Sequence, residues 1–247
     1  MMNELKHHGV QGQQWGVHNG PPYPIQPGHG VKIDKGVKFK RITRFDESAA
    51  KGHAYVTYLK EDQERYKGFF SVLLKASHPG TTVFEVSTSA AKDLVSPSQQ
   101  ERIDAFIKLY QNNRVKMGKE LGSYHKKHEY LYGPRLFSEK FYQKKYSNLE
   151  DGDLVKKGYS TFVNAIGGNE KIRSMYFKEL RKRGYNFIRD DYDSGRRAVS
   201  PAIVLDRDKN LRYEGQKKVT VNEIIKAYRN RGGFVSKDQR HKEWESR

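Results

Sequence analysis

Arg183-Gly184-Tyr185-Asn186-Phe187-Ile188, then Asp190-Asp191-Tyr192-Asp193-Ser194-Gly195, then Pro201-Ala202-Ile203-Val204-Leu205-Asp206: this stretch decides the reading of the fold. Its two apolar runs, 185–188 and 202–205, have the length and composition of strands. The segment 189–197 between them is built from Asp, Ser, Gly and Arg with one Tyr, and Asp, Ser and Gly are what turns use. Upstream, residues 169–183 repeat apolar side chains at helical spacing and stop at Gly184, a C-cap position. A helix therefore feeds a strand, an acidic turn and a second strand.

The same pattern of short strands and amphipathic helices extends outward from that hairpin. Val37-Lys38-Phe39-Lys40-Arg41-Ile42-Thr43 alternates apolar and polar side chains, as a half-buried strand does. Gly52-His53-Ala54-Tyr55-Val56-Thr57-Tyr58 reads as a second strand and Thr81-Thr82-Val83-Phe84-Glu85-Val86 as a third. Residues 61–76 read as a helix with Tyr66, Phe69, Phe70, Leu73 and Leu74 on one face. Ser96-Pro97-Ser98 opens a helix carrying Ile103, Phe106, Ile107 and Tyr110, and residues 220–231 form a last helix. The order of elements predicts one mixed α+β domain over residues 31–232, followed by a charged tail at 233–247.

Composition narrows the chemistry. The chain has no cysteine, which excludes disulfides, thiolate metal sites and a cysteine nucleophile. The net charge of +18 favours contact with nucleic acid, an anionic surface or an acidic protein. No run approaches the ~20 apolar residues of a membrane span, and no apolar signal segment precedes the domain. No HExxH, P-loop or Gly-x-Ser-x-Gly pattern occurs. No metal is expected: His7, His8 and His18 lack a nearby carboxylate pair, and His125 and His128 are flanked by lysines that disfavour a cation. His125-Lys126-Lys127-His128 reads instead as a solvated basic face, and Gly167-Gly168-Asn169 as a turn and N-cap that could also receive an anion.

Ahead of the domain lies His7-His8-Gly9-Val10-Gln11-Gly12-Gln13-Gln14-Trp15-Gly16-Val17, then a Pro- and Gly-rich run to Gly28. No helical or strand period explains it. Glycines permit close backbone approach and Trp15 is a typical interface anchor, so residues 1–30 read as a docking tag on a flexible arm. The string HHGVQGQQWGVHNGPPYP resembles a tag, roughly HHGxxGQxWGVRNGPPYP, carried by many otherwise different proteins encoded in bacteriophages and prophages of Gram-positive gut bacteria, often minor head or other structural gene products; His18 stands where Arg is usual. The resemblance implies docking to a virion protein through His7, His8, Gly9, Gly12, Trp15 and Gly16, and a place in the virion or the host bacterial cytoplasm.

The hairpin at 183–206 resembles the carboxy-terminal hairpin of ADP-ribosyltransferase-like domains in phage polyvalent and head-associated proteins. That resemblance implies a split-sheet α+β domain with NAD as cofactor. Arg41 would supply the cation for the pyrophosphate, Thr57 the hydroxyl near the nicotinamide ribose, and Asp191 or Asp193 the carboxylate near the anomeric carbon. Tyr55, Tyr58 or Tyr66 would stack on nicotinamide or adenine. The chain departs from the family in lacking Glu-x-Glu or Gln-x-Glu near the hairpin and in carrying a single Thr where Ser-Thr-Ser is frequent; Ser160-Thr161 is an alternative position.

Residues 112–158 stand apart. They are rich in Lys and Tyr and poor in aliphatic residues, and read either as an insertion or as the basic surface of the domain. Lys126, Lys127, Lys144 and Lys145 would neutralise phosphates there, and the tyrosines would stack on unpaired bases. Three functions follow: an ADP-ribosyltransferase-like phage protein acting with NAD on a host protein, a non-enzymatic minor structural protein of the phage head or tail that uses the fold as a scaffold and contacts DNA through its basic surface, or a free nucleic-acid-binding protein or nuclease.

Overall fold

The structure is a computed structural model, and it describes residues 30–45, 47, 51–128, 137–190, 198 and 201–230. The arm at 1–29 with its six tag residues, the turn residues Asp191 and Asp193, and the tail at 233–247 lie outside the described residues.

The chain is mixed α+β with several small sheets. Strands β2 (Lys38–Thr43), β4 (Phe84–Ala90) and β8 (Leu211–Lys218) form one antiparallel sheet in the order β2-β4-β8. Strands β3 (Ala54–Val56), β6 (Phe187–Arg189) and β7 (Ala202–Val204) form a second, in the order β3-β7-β6. A two-residue pair, β1 (Lys32–Ile33) with β5 (Leu94–Val95), makes a third. Among the described residues the two larger sheets share one β-bridge, Lys40 to Thr57, with backbone hydrogen bonds of 2.8 and 2.9 Å.

Side-chain alternation stacks these sheets into layers. In the second sheet Tyr55, Ile203 and Ile188 lie opposite one another, while Ala54, Val204 and Phe187 take the other side. Ile188 and Ile203 join a large aromatic-rich core with the helices. Phe187, Val204 and Ala54 meet Phe39 and Tyr58 in a core between the sheets. On the far side of the first sheet, Ile42 packs with Val83, Val219, Ile224 and Leu74 under helices α1 (Lys60–Ser77) and α9 (Val221–Asn230).

The helical layer follows chain order. Helix α2 (Gln99–Asn112) starts at a capping box in which Ser98 and Glu101 satisfy each other's backbone amides. Helices α3 (Arg114–Lys127) and α4 (Glu139–Ser147) form a tight hairpin. Then α5 (Asp151–Asp153), a π-helical stretch over Leu154–Tyr159 and α6 (Ser160–Gly168) run on without a break. Helix α7 (Glu170–Lys182) begins at Asn169, whose side chain accepts from the Lys171 and Ile172 amides. It is followed by Gly184 at φ +88°, a conformation side chains rarely adopt. The short α8 (Arg207–Asn210) connects β7 to β8.

Three expectations change. The strand expected over 81–86 runs later, over Phe84–Ala90, and β8 carried no apolar alternation that would have announced it. The α1 face with Phe69, Phe70 and Leu73 is not the buried one: the residues buried on α1 are Asp62, Gly68 and Ser71. The stretch 112–158, expected as an insertion or a basic surface, is helical over most of its described residues, and Tyr124, Tyr142 and Tyr146 lie in the core.

Candidate functional site

Strand β2 sends Phe39 into the core between the sheets, and alternation sends Arg41 to the same side. A guanidinium placed there needs an anion. Glu47 supplies it, its carboxylate 3.2 Å from Arg41 Nε. Glu47 is held at every polar group. Arg207 Nη1 meets its other carboxylate oxygen at 2.8 Å, Arg207 Nη2 donates to its carbonyl at 2.7 Å, and its own amide donates to Gln216 Oε1 at 3.2 Å. Glu47 and Arg207 are only 4% and 5% exposed. Two arginines share one carboxylate, so the cluster keeps one net positive charge.

Burial pushes the Arg41 pKa down, Glu47 pulls it back and Arg207 pushes it down again, with a net fall that leaves a guanidinium still cationic. Because Glu47 engages the Nε edge, the two Nη groups have no protein partner among the described residues. They form the fork that recognises phosphate or carboxylate. Beside it, His53 sits edge-on between the rings of Tyr55 (5.4 Å) and Phe177 (5.6 Å). Burial, then the charges of Arg173 and Arg41, lower its pKa to about 4 against the opposing pull of Glu170. The imidazole is neutral at pH 7 and adds no charge to the cluster.

Of the residues expected at the site, the structure brings Tyr55 within electrostatic range of Arg41. It does not bring Thr57 to the same face. Thr57 pairs with Lys40, so the pleat places it with Lys40 and turns Arg41 the other way. Its hydroxyl donates to the Lys40 carbonyl at 3.3 Å. Tyr58 is a core residue, packed edge-on against Phe39 at 6.2 Å. Tyr66 stacks on Phe70 of its own helix at 4.7 Å. Thr161, the alternative hydroxyl, is buried in the helical layer against the Tyr146 hydroxyl at 2.8 Å. Asp191 and Asp193 lie outside the described residues, but the preceding Asp190 is buried at the end of β6, its amide bonded to the Pro201 carbonyl at 2.9 Å.

The second region of interest is the α3–α4 hairpin. Gly118 and Gly122, one turn apart, let the helix backbones touch: a Cβ on Gly122 would lie 2.4 Å from the Gln143 amide nitrogen, and one on Gly118 2.5 Å from the Ser147 Cα. Lys127, Lys144 and Lys145 are exposed, whereas Lys126 is half-buried and donates to the Phe137 carbonyl at 2.9 Å. His125 is not on a solvated face. It is buried, stacked on Tyr142 at 4.1 Å and bonded to the Tyr146 hydroxyl at 2.8 Å. Tyr142 and Tyr146 are core residues and not free to stack on bases.

Sequence reasoning missed Glu47, Arg207 and His53. None lies in a motif, and only the need of a strand-borne arginine for a counterion pointed to an acid nearby. Among the described residues no group of three or more His, Asp or Glu side chains could hold a metal, and no helix is long and apolar enough to cross a membrane. Set against known protein families, curated proteins and solved structures, the chain matches none of them.

Proposed function

We propose that the chain is a phage-encoded ADP-ribosyltransferase-like protein that acts with NAD on a host protein and is carried in the virion by its amino-terminal tag. The observation that supports it best is the split between the sheets. The arginine strand β2 belongs to one sheet and β3, which carries Tyr55, to the other, and among the described residues a single bridge joins them. The β6–β7 hairpin that carries the acidic loop is the direct neighbour of β3.

On this reading Arg41 offers its free Nη edge to the pyrophosphate, and Glu47 and Arg207 hold the fork in place. Tyr55, not Tyr58 or Tyr66, is the ring near the nicotinamide end. Asp191 or Asp193 would supply the carboxylate near the anomeric carbon, where a negative charge would stabilise the positive charge that develops as nicotinamide leaves. The target nucleophile then takes the ribosyl carbon and gives up its proton.

Titration calorimetry with NAD tests the reading. Wild type should bind; Arg41→Ala should not, while keeping its fold, because Glu47 retains Arg207. Asp193→Asn or Asp191→Asn should bind NAD yet lose hydrolysis and transfer. Wild type that gives no heat with NAD defeats the reading. Deleting residues 1–30 should abolish association with phage particles and leave NAD binding intact, with Trp15→Ala the most damaging single change.

A further inference from the structure

We propose that the α3–α4 hairpin binds single-stranded nucleic acid, with Phe137 and Phe141 as a stacking platform and the lysines around them as phosphate contacts. The two rings stack at 4.3 Å with 19° between their planes, and they remain 47% and 43% exposed. Phe141 lies in the first turn of α4 and Phe137 just before its N-cap, so the two rings form one contiguous exposed apolar patch, the kind of surface that marks a binding site. Here they are also firmly supported. Both meet Tyr142 edge-on, at 6.1 and 5.6 Å, and Tyr142 stacks on His125. The His125–Tyr146–Thr161 hydrogen-bond chain, 2.8 Å at each step, ties that stack to the core. The Lys126 ammonium fixes the backbone at Phe137. The platform is therefore rigid before any ligand arrives, which lowers the entropic cost of binding.

Charge identifies the occupant. Lys116, Lys119, Lys127, Lys140, Lys144 and Lys145 are exposed on the two helices, and none makes an ion pair among the described residues. The nearest α4 acid, Glu139, is bound by Ser123 and Gln143, and the α3 acid Glu120 by Asn169 and Lys171. Lys144 and Lys145 follow Phe141 by one helical turn, so rings and ammonium groups alternate along α4. A chain of phosphates with a flat base between each pair matches that alternation, whereas a duplex hides its base faces. An acidic peptide would satisfy the lysines and leave the rings uncovered.

Fluorescence anisotropy of the full chain with a labelled oligothymidine of about 20 nucleotides tests this. The oligothymidine should bind more tightly than a duplex of the same length. Its log affinity should fall with log salt at a slope of about −3, as for roughly four phosphates on a single strand. Phe137→Ala/Phe141→Ala should weaken binding about tenfold or more, and Phe141→Trp should retain it. Lys140→Gln/Lys144→Gln/Lys145→Gln, which alters no packed atom, should flatten the salt slope and keeps the test valid if the aromatic double variant misfolds. Three results overturn the proposal: no binding at low salt, a duplex bound as tightly as the single strand, or polyglutamate competing as well as unlabelled oligothymidine.

Discussion

Lysines serve opposite ends in the two halves of this molecule. On the outer face of the first sheet, Lys40, Lys67 and Lys217 converge on the buried carboxylate of Glu85, at 3.5, 2.9 and 3.7 Å. On the α3–α4 hairpin, six lysines stand exposed without an ion pair among the described residues. The first set fixes how β2, β4 and β8 meet α1. The second contributes nothing to packing and leaves its field outside. The overall charge of +18 is thus not spread evenly, and the lesson is that a basic composition must be divided into paired and unpaired cations before it is read as a binding signal.

The sharpest way to break the comparison is at Glu47. Glu47→Ala leaves the buried Arg207 and the half-buried Arg41 without their anion and should lower stability by about 3 kcal/mol, measured by urea unfolding. Arg41→Ala leaves a neutral Arg207–Glu47 pair and should cost far less. If both variants unfold at the same urea concentration, the shared-carboxylate account is wrong. Next comes the hairpin packing. Gly122→Ala pushes a Cβ into the Gln143 backbone and should lower stability by about 1–3 kcal/mol; an unchanged unfolding midpoint would mean that the helices slide apart freely.

Acid should act on the sheet half first. The His53 pKa lies below its ordinary value, so its contribution is complete above about pH 6.5 and is lost as the pH falls towards about 4. Its ring proton in NMR should titrate near pH 4, and a midpoint near 6.5 would remove the buried environment assigned to it. Glu223 at the start of α9 is held down to about 2 by the Thr220 amide, Lys217 and the Thr220 hydroxyl. The α9 cap therefore persists above about pH 4.5 and is lost as the pH falls towards about 2; Glu223→Gln should erase that acid limb. The smallest effect belongs to the hairpin. Lys144→Gln and Lys145→Gln should each change stability by no more than about 0.5 kcal/mol, and a larger loss would mean that these lysines are structural after all.

Much of the fold was legible in the sequence because strong local signals agreed with the tertiary structure. The alternation at 37–43, the Asn169 cap and Gly184, and the two apolar runs of the hairpin all fall where their elements lie. The failures share a physical cause. The α3–α4 hairpin buries tyrosine, glycine and histidine beside only Met117 and Leu121, so its apolar period is sparse. β8 is mostly solvent-facing and so shows no alternation. Arg41 was legible as a strand-borne cation, but its counterion was not, because Glu47 and Arg207 meet across 160 residues of sequence. Thr57 failed for a finer reason. A single-residue offset at the Lys40 bridge decides which face it takes, and register is not written in composition.

The interleaving of the two sheets has a consequence for how the protein is made. The chain visits the first sheet at β2, leaves for β3, returns at β4, leaves again for β6 and β7, and comes back only at β8. Neither sheet is a contiguous stretch that a ribosome could deliver whole. While helices α2 to α7 emerge with local contacts, strands 38–43 and 84–90 must wait for 211–218 with an edge uncovered. Folding is therefore largely post-translational, and nascent chains stalled short of residue 211 should be held by chaperones and cut readily by proteases, whereas chains released past 230 resist both.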